Sequence, residues 1–118
     1  LGTIDESLFA ELFALTEHDA SLLAELVALF LTQLDSQSKA IRAAVSSHFA
    51  VQVEFHAHSL KSSSATFGAH ELTRLCRNLE LTAKEGVVPS ANELAPFFLE
   101  VDAVEVWFRR WLSVQAAA

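Results

Sequence analysis

Apolar residues recur along most of the chain at the three- and four-residue intervals of a helix face, and nowhere with a strand's alternation over a useful length. Leu8, Phe9, Leu12 and Phe13 form a first, short stripe. Thr3, with Glu6 three residues on, reads as a capping box that opens a short helix through about Ala14. Thr16 and Asp19 offer the next start. Leu23, Val27, Phe30, Leu34 and Ile41 then keep one face apolar until about Ser47, the pattern of a long bundle helix. A third helix is predicted from about Val51 to Phe67, with Val53, Ala57, Leu60, Ser64 and Phe67 inward and Gly68 as the left-handed residue that ends it. A fourth runs from about His70 to Glu85 and buries Leu72, Leu75, Cys76, Leu79 and Ala83 before Gly86 stops it. Val87 to Asn92 reads as a loop. Pro96 has no amide hydrogen to donate, so the last helix is expected to begin within a turn before it. It should reach about Val114 through Phe97, Val101, Val104, Phe108 and Trp111, leaving Ala116 to Ala118 frayed.

These elements predict an all-α protein. Four helices pack antiparallel in up-down-up-down order, and the short additional N-terminal helix caps one end of the bundle. A length of 118 residues suffices for one core and not for two, so residues 1–118 are expected to form a single domain. The net charge of -7, with signs interspersed, supplies no cationic stripe for a nucleic-acid backbone. Cys76 has no second cysteine to pair with, and its place on a helix predicts a buried thiol in a reducing, cytoplasmic compartment. No apolar run reaches the length of a membrane span and no signal peptide is visible, so membrane contact by this domain is not expected. The chain opens on Leu and holds no Met, which is what a piece excised from a larger protein would show.

Candidate chemistry concentrates between Ala57 and Glu80. Lys61 and Ser62 follow His58 by three and four residues, so on a helix both lie one turn away on the same face. A neutral imidazole nitrogen is a competent nucleophile near pH 7, and a phosphoryl group placed on it would meet an ammonium and a hydroxyl. On the fourth helix Thr73, Arg77, Glu80 and Lys84 form a stripe that a neighbouring helix could set beside His58, with Arg77 and Lys84 as further electrostatic support. His56 lies two residues from His58 and so about 200° around the helix, facing elsewhere. His56, His58 and His70 do not make a metal site, because an H-x-H pair splits across helix faces and no second Cys or carboxylate cluster completes a ligand set. Ser63 and Ser64 read as small packing residues satisfied by the helix backbone. Arg109 and Arg110 read as solvated cations at a helix end, and Phe97, Phe98, Trp107, Phe108 and Trp111 as core and its rim.

His58, Lys61, Ser63, Ser64, Gly68, Ala69, Leu72, Cys76, Leu79 and Glu80 fall in register with a pattern H-x-x-K-G-S-[SA]-x-x-x-G followed by Leu, Cys and Leu-Glu. The chain thereby resembles the histidine-containing phosphotransfer (HPt) domains of multistep phosphorelays, with Ser62 standing where that family most often has Gly. The resemblance implies that His58 is the phosphoacceptor and that Lys61 offsets the phosphoryl charge. It implies too that Glu80, at a position where related domains often carry Gln or Glu, orients the imidazole. The expected partners are receiver domains of a hybrid kinase or response regulator, which would bring the Mg²⁺, with no cofactor in this domain. Ser62 is expected to narrow the docking space slightly or to donate to the phosphoryl oxygens. Phe13 and Phe55 are candidates for packing against a receiver. No glycine-rich nucleotide segment is present, so the resemblance implies a phosphoryl carrier without autonomous kinase activity. The phosphoacceptor domain of a chemotaxis-type kinase, similar in bundle and motif, and a receiver-docking bundle without chemistry stand as the alternatives.

Overall fold

A computed structural model of the chain describes residues 2–117. Among them the backbone forms five helices, α1 (Glu6–Leu15), α2 (Ala20–Ser46), α3 (Ala50–Thr66), α4 (His70–Lys84) and α5 (Ala91–Ala117). The helices α2, α3, α4 and α5 make the antiparallel bundle, each packed on the next and α5 closing back on α2. A helix of this length rises about 1.5 Å per residue, so α2 and α5 run almost the full 46 Å of the molecule's long axis.

The helix starts follow the side chains that satisfy the free amides of a first turn. Asp5, not Thr3, caps α1: its Oδ1 accepts from the amides of Ser7 (3.0 Å) and Leu8 (3.2 Å). Ile4, just before that cap, and Phe9, four residues after it, are both buried, as a hydrophobic staple requires. Asp19, not Thr16, opens α2 by accepting from the Leu22 amide at 3.0 Å. Thr16 instead closes α1, its hydroxyl donating to the Phe13 carbonyl at 2.8 Å. Ser90 and Glu93 form a reciprocal capping box at the head of α5, which starts that helix five residues before Pro96, slightly earlier than the proline alone suggests. Proline costs one backbone bond there, and buried Leu94 and Phe97 on either side hold the turn in place.

At its other end α5 also outruns expectation. Ala116 and Ala117 remain helical, while Ala118 lies outside the described residues. Arg109 is therefore not a helix-end cation but pairs with Glu105 one turn back, at 2.9 Å.

The predicted inward stripes are buried, except that Leu8, Leu12 and Phe13 on α1, Leu75 on α4 and Trp111 on α5 are only partly covered. Phe30 stacks on Phe67 at 4.6 Å, and Phe108 meets both edge-on at 5.4 and 5.9 Å. Phe9 brings α1 onto this aromatic end, against Trp107, Phe108 and Trp111 at 5.5, 5.6 and 5.2 Å. Ser64 is fully buried in α3 and its hydroxyl has no hydrogen-bond partner among the described residues, so backbone satisfaction holds for Ser63, which donates to Ser59 O, and not for Ser64.

The α3–α4 turn fixes the register of those two helices. Gly68 closes α3 at φ +79°, and its carbonyl accepts from the Asp5 amide at 2.8 Å. A Cβ at Gly68 would stand 2.9 Å from the Asp5 carbonyl oxygen. Asp5 also meets His70, the first residue of α4, through Oδ2 at 2.8 Å, so one residue ties the amino-terminal arm to both sides of the turn. Gly86 has the same φ of +79° and open space around it. Gly68→Ala is expected to lower stability by about 1–3 kcal/mol, and Gly86→Ala by only the backbone strain at the lower end of that range. Urea unfolding of both variants measures the difference.

Candidate functional site

Three side chains from two helices meet midway along the bundle. His58 lies on α3 at the border of the buried stripe made by Val53, Ala57, Leu60 and Ser64, so its ring emerges beside α4 with 64% of the side chain exposed. Glu80 comes across from α4 with only 6% of its side chain exposed. Its Oε2 pairs with His58 Nδ1, and its Oε1 pairs with the ammonium of Lys61, which is partly buried one turn along α3. Lys61 therefore points to the same side as His58, and the carboxylate bridges the two.

The electrostatics follow from that bridge. Burial alone would favour the neutral acid, yet the Lys61 ammonium, with a smaller contribution from His58, holds the Glu80 carboxyl below its ordinary value. An ionised Glu80 accepts the proton of His58 Nδ1, which places the lone pair of the neutral ring on Nε2. Nε2 makes no hydrogen bond among the described residues. The ring is thus oriented through one nitrogen and available through the other.

Beneath this trio Cys76 is fully buried, and burial, with Glu80 adding to it, pushes its thiol up to about 12. It is a packing residue with no thiolate to offer near neutral pH.

The remaining predicted site residues divide. Lys84 lines a groove of about 400 Å³ together with Val51, Glu54, Phe55, His58 and Glu80, so it faces the site. Arg77 is exposed, does not line that groove and makes no ion pair among the described residues. Ser62 is exposed on the His58 face, and its hydroxyl turns back to the His58 carbonyl at 3.5 Å. His56 does face elsewhere: its Nδ1 meets Gln37 Oε1 of α2 at 2.6 Å. Ser63 donates to Gln33 Oε1 at 2.8 Å and so serves the α2–α3 seam.

Two features were not legible beforehand. The Lys61–Glu80 pair needed the rotation of α4 against α3, which no spacing within one helix gives. Val51 and Glu54 lie off the inward stripe that dominates the pattern of α3, although Val51, Phe55 and His58 recur at four and three residues and share an outer face.

A rigid bundle that holds one oriented imidazole out to solvent, with its own cation close by, suits the carriage of a small anionic group. Comparison with known proteins agrees. Residues 25–107 match the Hpt domain family. Phosphorelay protein LuxU from Vibrio vulnificus, in strains YJ016 and CMCP6, is 32% identical over 91 residues, covering 77% of this chain and 77% of the relative. The crystal structure of histidine-containing phosphotransfer protein B (HptB) from Pseudomonas aeruginosa PAO1 shares the fold, with a TM-score of 0.85 over 94% of this chain and 95% of that one at 23% identity. The chain belongs to the Hpt domain family, the histidine phosphotransfer modules of phosphorelays, which work with receiver domains. Among the described residues no helix is long and apolar enough to cross a membrane.

A carboxyl whose pKa falls on folding contributes stability above its unfolded value of about 4.3, and that contribution vanishes as pH drops through the lower folded value. Glu80→Gln is accordingly expected to be less stable than the parent by about 1–3 kcal/mol near pH 7. The gap should narrow steadily below about pH 4, as urea unfolding across the acid range would record.

Proposed function

We propose that His58 is the residue that carries the phosphoryl group, taking it from the phospho-aspartate of one receiver domain and passing it to the aspartate of another. The observation that carries this reading is the Glu80 carboxylate against His58 Nδ1, which leaves Nε2 as the exposed nucleophile. In the transfer the Nε2 lone pair attacks phosphorus while the bond from phosphorus to the aspartyl oxygen breaks and its electron pair leaves with the carboxylate. No proton has to depart from Nε2. The ring instead acquires positive charge, and Glu80, already ionised, stabilises it across Nδ1–H. Return to a second aspartate is the same displacement in reverse.

Lys61 offsets the charge of the phosphoryl group, and Lys84 gives further support from the groove rim. Arg77 has no place in this scheme. Ser62, with its hydroxyl turned to the helix backbone, narrows the approach slightly. We assign Mg²⁺ to the receiver, because both oxygens of the carboxylate in contact with His58 are engaged by His58 and Lys61. The receivers are those of a hybrid kinase or response regulator, and a cytoplasmic location follows from that partnership.

Incubation with a phosphorylated receiver should label the wild-type chain at an acid-labile, base-stable site. His58→Gln should lose that label entirely, and label retained in the variant would place the carrier elsewhere. Lys61→Gln should slow transfer about tenfold, the effect of one lost charge-stabilising contact of about 1.4 kcal/mol, with rapid-quench kinetics as the readout.

A further inference from the structure

The surface around His58 is not symmetrical. Towards the amino terminus of α3 it is apolar: Val51 is 68% exposed and Phe55 63%. Exposed Phe49 precedes them at the α2–α3 turn, and exposed Leu81 follows Glu80 on α4. Towards the carboxyl terminus of α3 the exposed residues are Ser62, Ala65 and Thr66, small or hydroxyl-bearing. The groove that contains His58 follows the same division, being lined by Val51, Glu54, Phe55, Glu80 and Lys84 and by none of Ser62, Ala65 or Thr66.

An exposed Phe and Val side by side are costly to leave in water, and burying a side chain of this kind gives about 1.5–3 kcal/mol. Neither is needed by the bundle core, whose residues on α3 are Val53, Ala57, Leu60 and Ser64. Phosphoryl transfer, in contrast, obliges a protein carrying an acyl phosphate to come within bonding distance of His58 Nε2, so whatever sits beside that ring becomes interface. The lysine at the same rim suits the anionic group that such a partner presents.

We propose that the receiver docks off-centre, on the amino-terminal half of α3, with Phe55 as the apolar anchor, Val51 beside it and Lys84 flanking the phosphoryl group. The occupant is a receiver with an apolar patch adjoining its phospho-aspartate. Phe55 and Val51 then determine which receivers are accepted, while His58, Lys61 and Glu80 perform the transfer. This inference rests on the phosphorelay reading above and adds the direction of approach.

The test uses a purified receiver domain chosen because it labels the wild-type chain, with potassium phosphoramidate as a donor that needs no docking surface. With phosphoramidate its P–N bond breaks, the new bond forms to His58 and ammonia leaves. Phe55→Ser and Val51→Ser should each raise the KM for the receiver about tenfold, equivalent to about 1.4 kcal/mol, with phosphoramidate labelling unchanged. Leu29→Ser on α2 and Leu99→Ser on α5, matched exposed apolar residues away from the groove, should leave both rates unchanged. An unaltered KM in both Phe55→Ser and Val51→Ser, or an equal rise in the Leu29 and Leu99 variants, would overturn the off-centre docking and leave the relay reading standing. Label persisting in His58→Gln, or no receiver labelling the wild-type chain, would overturn the relay reading and this inference with it.

Discussion

A nearly buried carboxylate that stays ionised is the constraint on which the rest depends. Glu80 can hold its charge beneath the bundle surface because Lys61 takes one of its oxygens and His58 the other. Remove the lysine and burial would favour the protonated acid, which cannot impose the same tautomer on the ring. Remove the glutamate and the imidazole would be a mobile surface histidine with a free choice of tautomer. The trio therefore holds an otherwise ordinary side chain in one orientation at the expense of little more than one buried charge.

Bringing that trio together is the task of α3 and α4, the most extensively packed pair of helices in the molecule. Their relative rotation is set by the tight turn at Gly68 and by Asp5, which caps α1 and holds both sides of the turn. Both helices bury small residues, Ala57 and Ser64 on α3 and Cys76 and Ala83 on α4. The buried Ser64 hydroxyl has no partner among the described residues, a local cost within that packing. The fold thus acts as a frame that holds one ring in one orientation, which suits a reaction governed by positioning and charge.

Much of this was legible in the chain itself. Long stripes such as Leu23 to Ile41 signal their helix because burial repeats over many turns, and Gly68 and Gly86 mark ends because only glycine enters the left-handed region without strain. Boundaries were less visible where several capping residues compete, as with Thr3 and Asp5 or Thr16 and Asp19, since the stronger acceptor wins by geometry that spacing does not show. At its start α5 reaches further than Pro96 suggests, because a proline near a helix start costs only one bond. Within the site, His58 and Lys61 were readable from local spacing and family resemblance, and Glu80 from register alone. The double role of Glu80, and the position of Arg77 outside the groove, depended on how far α4 is turned towards α3, a tertiary quantity that no single helix encodes.

The reactivity of His58 turns on which of its ring nitrogens carries the proton. Long-range ¹H–¹⁵N correlation of the ¹⁵N-labelled protein near neutral pH reads this directly. A protonated Nδ1 and a lone-pair nitrogen at Nε2, with the phosphoryl group later appearing on Nε2, is the predicted result. A ring protonated at Nε2, or one averaging freely between tautomers as a solvated histidine does, would contradict it.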